Sequence, residues 1–560
     1  MKQVLVASLA LLGFAAAQNA SLPVVDLGYE LHRATLYNST GGFYNFSNIR
    51  YAAPPTGANR FAAPKPPAVN RTTIQTGSPD RICPQAGPAW LAIAAQYIPL
   101  YLQGQTQFNA SSFSSAASNG SSALPEQDPR TTEDCLFLDV VVPEQIFNSA
   151  DKGYGAPVLV WIYGGGYTLG GKSSSGNPAG LLERGKTSNG GNVIYVSMNY
   201  RLGAFGWLSG PTFQANGTAN AGLYDQRMAL EWVQQYIHLF GGDPRRVTVF
   251  GESAGGGSIM HQITAYGGNK GPVPFAQALT QSPGFAPIAS PNQEEMIFNN
   301  YLSLLNVSTI EQARALPYSA LQTANIRQIG ASTYGGFTYG PTVDGNFVPA
   351  LPSLSLLHGH YDKSLRIMVG HNAQEGLLFT SPFVQNNSAF AAGVVASFPT
   401  VAAYPKILAY ITDVLYPPIF DGSQAMNYTD QIGRAAALTS DVIFSCNTYY
   451  LDRAYANKTH SYLFAVPPAL HGNDIPYTYF NGANATAAST AVIAPQIAVA
   501  LQEYIVDFAE TGMPNGPGVP FFNIYGANAT VQTLGISGIT QMMDPAANAR
   551  CAWWQKALYL

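Results

Sequence analysis

The chain has 560 residues, 47% of them apolar and only 10% charged, with a formal net charge of −4. That apolar content supports a large core and excludes disorder over most of the length, which suits either several small domains or one large α/β domain. The sequence has no basic run, which excludes nucleic-acid binding as the main function.

The first elements in chain order concern export. Lys2, an apolar stretch over 4–14 and Ala15-Ala16-Ala17 before Gln18 read as a secretory signal peptide spanning 1–17, leaving 18–560 as a single catalytic domain. The apolar stretch is too short to span a bilayer, so no stable membrane anchor is expected. Acceptor sequons for N-glycosylation occur at Asn19, Asn38, Asn45, Asn70, Asn109, Asn119, Asn216, Asn306, Asn386, Asn427, Asn457, Asn484 and Asn528, in keeping with a secreted glycoprotein. Four cysteines, Cys83, Cys135, Cys446 and Cys551, allow three pairings, and in an exported chain disulfides are the default. Their spacing does not suggest zinc, and no metal is expected.

Behind Cys83, residues Leu91, Ala94, Ile98 and Leu102 fall at helical spacing, with Pro99 expected to kink or end the helix. Such a helix is either a lid or a fixed wall over a substrate gorge. The Ser-, Ala- and Asn-rich stretch 109–124 reads as a flexible loop. Short β-branched or aromatic runs at 156–163, 193–198, 247–250, 366–369 and 461–466 predict buried strands. Residues 224–240 predict a helix, with Met228, Leu230, Trp232, Val233, Ile237 and Phe240 recurring every three to four positions and Gly241-Gly242-Asp243-Pro244 as its stop. Strands alternating with helices predict an α/β class with a mostly parallel central sheet covered by helices. The more helical stretch 290–440 is expected to cap the catalytic edge and to form the substrate gorge.

Gly251-Glu252-Ser253-Ala254-Gly255 lies between the run at 247–250 and a helix-compatible run reaching Ile263. A serine between two glycines at a strand-to-helix turn is the pattern of a nucleophile elbow, in which the hydroxyl is held exposed above a sheet. Such a serine needs a base, and the base needs a carboxylate, in the chain order serine, acid, histidine. His471, in a Gly- and Pro-containing loop past the strand at 461–466, is the candidate base; His460 precedes that strand and is the weaker choice. Glu375 follows the strand at 366–369 and is the candidate acid, with Asp344 in Val343-Asp344-Gly345 as its rival. Gly164-Gly165-Gly166 follows the run at 156–163 and can point backbone N–H groups at a developing oxyanion, which the Ala254 N–H would complete.

These stretches, together with Glu133-Asp134-Cys135-Leu136, Asn199-Tyr200-Arg201, Asp225-Gln226-Arg227, Phe240-Gly241-Gly242-Asp243-Pro244, Gln374-Glu375-Gly376 and His471-Gly472, run in order over most of the chain. In this the sequence resembles the type-B carboxylesterase/lipase family, which includes cholinesterases and secreted fungal lipases. The resemblance implies an α/β-hydrolase fold, a Ser253, Glu375, His471 triad and an oxyanion hole from Gly165, Gly166 and Ala254. It implies disulfides Cys83–Cys135 and Cys446–Cys551, no metal or organic cofactor, and a small-molecule or lipid ester as partner. The family's glycine triplet is often followed by Phe, where this chain has Tyr167, and Trp90 does not match the choline-binding tryptophan position. The expected function is a secreted carboxylesterase; a triacylglycerol lipase with a mobile lid and a non-catalytic adhesion-type relative are the alternatives, the last disfavoured because all three triad positions are filled.

Overall fold

Residues 158–162, Val-Leu-Val-Trp-Ile, show no polar alternation, a pattern that only a strand covered on both faces can bury. In the computed structural model they are fully buried at the centre of an eleven-stranded sheet. The structure describes residues 22–560 except 114–125, 151, 154, 188–191, 289, 424–427 and 483–490. The signal segment, most of the Ser-rich stretch and the sequons at Asn19, Asn119, Asn427 and Asn484 therefore lie outside the described residues.

The strands of the main sheet are β1 (Leu36–Asn38), β2 (Phe43–Arg50), β3 (Phe137–Pro143), β4 (Ala156–Ile162), β5 (Ile194–Met198), β6 (Gly242–Glu252), β7 (Gln277–Gln281), β8 (Arg366–Asn372), β9 (His460–Ala465), β10 (Thr530–Gly535) and β11 (Gly538–Met543). Their spatial order is β11-β10-β9-β8-β7-β6-β4-β5-β3-β2-β1. Pairing is parallel from β5 across to β10 and antiparallel at both margins. The helices used below are α1 (Trp90–Leu102), α2 (Ala221–Tyr236), α3 (Ala254–Ile263), α4 (Gln431–Ser440) and α5 (Pro495–Thr511). The layered α/β arrangement expected from the alternation of strands and helices is thus present.

Two local expectations need correcting. The helix expected over 224–240 is α2 to Tyr236 followed by a tighter turn at Ile237–Phe240, and Gly241 (φ 86°) closes it. The stop signal then runs straight into β6, which begins at Gly242. Pro244 has no N–H for the ladder, and the β4–β6 register shifts there, between Ala156 and Val158. Pro99 does not end α1, which continues to Leu102 with the proline on its exposed side. The buried residues of α1 are Trp90, Ala94, Tyr97 and Ile98, whereas Leu102 is 49% exposed.

Both disulfides stand outside the central sheet. Cys83 is joined to Cys135 across a sequence separation of 52, and Cys446 to Cys551 across 105. Around the second, Asp441 Oδ2 accepts from Arg550 Nε at 2.7 Å and from the Tyr416 hydroxyl at 2.8 Å, so the C-terminal segment is held by charge as well as by sulfur. Closing a loop of this length restricts the unfolded chain by about 4–5 kcal/mol in the chain-entropy model. Replacing Cys446 and Cys551 together by Ser is therefore expected to lower the urea midpoint and to raise the m-value, because the uncross-linked chain exposes more surface when it unfolds; an unchanged midpoint would show that the bridge adds no stability.

Candidate active site

The parallel register pairs Ile162 at the end of β4 with Gly251 at the end of β6. The Ile162 carbonyl lies so close to the turn that a Cβ on Gly251 would sit 2.5 Å from it, and a Cβ on Gly255 2.0 Å. Both glycines around the serine thus answer to one carbonyl. Between them Ser253 takes φ 57° and ψ −124° as the residue preceding α3, a backbone conformation that costs on the order of 1–3 kcal/mol for a residue with a Cβ. Hydrogen bonds hold it there: Ser253 N–H donates to Gln281 O at 3.0 Å, and Ser253 O accepts from Gly257 N–H at 2.8 Å and Gly284 N–H at 2.9 Å.

Because β4 is the neighbour of β6, the glycine loop that follows β4 arrives beside the serine. A Cβ on Gly164 would lie 2.8 Å from Ser253 Cβ. Gly165 and Gly166 both have positive φ, 111° and 62°. The glycine loop thus lies against Ser253, beside the start of α3.

The remaining site residues arrive from β8 and β9, whose carboxyl ends lie on the same edge of the sheet, where crevices in open α/β sheets form. Glu375, fully buried, accepts from the Asn372 N–H at 2.6 Å through Oε1, and its Oε2 lies 2.6 Å from His471 Nδ1. The two loops are stitched together by the Gln374 N–H, which donates to Ala469 O at 2.8 Å. Asp344 is not at this site: its carboxylate serves its own turn through the Asn346 and Val348 N–H groups and accepts from Asn220. His460 likewise lies at the start of β9, its Nδ1 3.2 Å from Asn523 O.

His471 Nε2 is buried, makes no hydrogen bond within the protein, and faces Glu252 Oε1 at 3.2 Å. It is not bonded to the hydroxyl of Ser253, the next residue after Glu252; hydrogen bonds of this kind often tighten only when substrate is bound. A third carboxylate stands behind: Asp474 Oδ1 accepts from Asn372 Nδ2 at 3.2 Å, and Oδ2 from Gln281 Nε2 at 3.1 Å and the Tyr462 hydroxyl at 2.9 Å. Burial alone would lower the imidazole, but Glu252 and Glu375 outweigh it and hold His471 above its ordinary value. Burial pushes the carboxyls of Glu252 and Asp474 upward, against the pull of His471 on each.

Aromatic rings close over this polar cluster. Phe444 and Phe379 pack on the His471 ring at 4.2 and 5.0 Å between centroids, and Trp90 of α1 meets Phe379 at 5.9 Å and Phe337 at 5.5 Å. Phe337 lies directly on Gly166, leaving no room for a Cβ there. Sequence reasoning assigned no part to Glu252, Asp474, Phe337, Phe379 or Phe444. The first two lie within the elbow motif and three positions past His471, so proximity to those motifs was an available signal. The three phenylalanines carried none, since they meet His471 and Gly166 only through the packing of distant segments.

A mostly parallel sheet with an elbow serine, an acid and a histidine on successive strand ends defines the α/β-hydrolase class. The chain belongs to the carboxylesterase family, whose model matches residues 32–554. It is 42% identical to "Carboxylesterase patB" of Aspergillus clavatus over 98% of both chains, and 33% identical to a "Secreted lipase" of Arthroderma benhamiae over 70% of this chain and 73% of that one. Among solved structures it resembles EstA of Aspergillus niger, with a TM-score of 0.78 and 24% identity over 96% of this chain and 98% of that one, a likeness of fold.

A base must be neutral to accept a proton, so with His471 raised, kcat/KM is expected to fall as pH drops through a midpoint above the ordinary imidazole value of about 6.5. The groups facing the imidazole are Glu252, Glu375 and Asp474. Glu252→Gln removes one negative neighbour and should move that midpoint to lower pH in a kcat/KM profile; a midpoint that stays or rises contradicts the electrostatic role. Glu375→Gln should instead lower kcat on the order of 10⁴ by favouring the wrong tautomer, and a mild effect there would remove Glu375 as the acid.

Proposed function

We propose that the protein is a secreted serine ester hydrolase that cleaves carboxylic esters through an acyl-enzyme. The observation that carries this reading is the His471 imidazole, fixed by Glu375 at Nδ1 while Nε2 is left without a hydrogen bond beside the elbow. Ser253 Oγ attacks the ester carbonyl carbon and its proton passes to His471 Nε2. The carbonyl oxygen becomes an oxyanion met by the N–H groups of Gly165, Gly166 and Ala254. Collapse breaks the bond to the alcohol, which leaves with the proton from His471. Water, deprotonated by the same nitrogen, then attacks the acyl carbon and releases the acid and Ser253. Glu375, held at Nδ1, stabilises the imidazolium.

Between carboxylesterase and lidded lipase, the seating of α1 favours the first. Its Trp90 indole donates to Gly336 O at 2.7 Å, and the Tyr97 hydroxyl lies 2.5 Å from Leu377 O and 2.7 Å from Thr380 O, all on the floor that the helix covers. Opening α1 would strand these polar groups and uncover Trp90 and Tyr97, which are 3% and 0% exposed. A wall so fixed suits soluble esters with short acyl groups. Its relatives include both carboxylesterases and secreted lipases by name, in keeping with an exported ester hydrolase.

Ser253→Ala should lower kcat by about 10⁶ with the fold retained, and a serine-reactive phosphonate should label the wild type at Ser253 alone. A fully active alanine variant, or labelling at another residue, contradicts the reading. On a triglyceride, a smooth saturating rate through the solubility limit is expected from a fixed wall, whereas a jump at that limit marks α1 as a moving lid.

A further inference from the structure

We propose that the Tyr167 hydroxyl is a positioning group that keeps the two halves of the oxyanion hole in register. The inference rests on the reading of Ser253 as nucleophile and of the loop at 164–166 as half of that hole. The hole draws its donors from two separate elements, Gly165 and Gly166 after β4 and Ala254 at the start of α3, and such donors act only when held to within about 0.5 Å of the productive geometry.

Tyr167 is the next residue after the glycine loop, 3% exposed and at φ 63°. Its ring stands edge-on to Trp207 at 4.7 Å, and its backbone carbonyl accepts from the Gly203 N–H at 2.9 Å. From this fixed base the hydroxyl reaches across to donate to Gly284 O at 3.0 Å. Gly284 in turn donates its N–H to Ser253 O at 2.9 Å. The Ser253 carbonyl and the Ala254 N–H are opposite ends of one planar peptide, so whatever orients the carbonyl aims the donor. The contact is closely fitted: a Cβ on Gly257 of α3 would lie 2.6 Å from the Tyr167 oxygen. Burial drives the phenol well above its ordinary value, so it remains a donor at any working pH. Buried beneath the loop, it aims the groups that meet substrate without meeting substrate itself.

Tyr167→Phe keeps the ring packing and removes only the hydroxyl, with its bonds to Gly284 O and to the Ser258 side chain on α3. We expect kcat to fall about ten- to hundredfold, with KM within about twofold of wild type, because the loss is felt where the oxyanion forms. A trifluoromethyl ketone, whose serine adduct carries an oxyanion, should be bound more weakly by the same factor. Circular dichroism and phosphonate labelling of Ser253 check that the variant is folded. If kcat and the ketone inhibition constant both stay within twofold, or if only KM or thermal stability changes, the proposal is overturned. Ser253→Ala measured alongside separates the two readings. An inactive Ser253→Ala with a normal Tyr167→Phe removes the role of Tyr167 alone, whereas an active Ser253→Ala removes the site itself.

Discussion

The active-site architecture hangs on the approach of two strand ends, where the Ile162 carbonyl of β4 packs against Gly251 and Gly255 on either side of Ser253. Parallel pairing of β4 with β6 delivers this contact, because it brings both carboxyl ends to one edge of the sheet. The glycine loop that leaves β4 therefore emerges beside the serine that leaves β6. Any side chain at the flanking positions would push the strands apart and move the glycine loop away from Ser253. The strain of Ser253 at positive φ persists because backbone bonds to Gln281, Gly257 and Gly284 surround it.

The second constraint is electrostatic. One imidazole shares a buried space with Glu252, Glu375 and Asp474. Three carboxylates cannot all ionise cheaply in a low-dielectric pocket, and burial raises two of them. Gln281, Tyr462 and the Asn372 amide donate to Asp474, and the Asn372 N–H donates to Glu375, so Asn372 ties two of the acids together. This arrangement sets Glu375 at Nδ1 and leaves Nε2 facing the elbow. Protonation of such a cluster is a property of the group, and a pH profile will report it as such.

Aromatic packing then decides what reaches the polar centre. Trp90, Phe337, Phe379 and Phe444 come from four separate stretches and meet above His471 and Gly166. They cover the charge cluster with apolar surface, which strengthens each charge interaction beneath them. The seat of α1 on this floor forms an apolar cluster of its own, Trp90, Ala94, Tyr97 and Ile98 with Leu377, Ile432 and Ala436, set apart from the main core.

The sequence by itself marked five of the eleven main-sheet strands, β4, β5, β6, β8 and β9, because their apolar runs are short and β-branched or aromatic, but it did not mark β1, β2, β3, β7, β10 or β11. It also marked the elbow, the glycine loop and the loops of Glu375 and His471, because each carries a local backbone demand that glycine or a strand end advertises. It could not say that Pro99 would be tolerated within α1, that β6 would begin at Gly242, or which face of α1 would be buried. Those outcomes depend on what packs against each segment. Nor could it show Glu252 facing Nε2, Asp474 behind it, or the phenylalanines over the imidazole. Apart from that of Asp474, three positions past His471, such contacts join residues tens to hundreds of positions apart, and only the tertiary structure brings them within a few ångströms. Backbone chemistry is local and leaves a trace in sequence; the environment of a charge is made by whatever the fold places around it.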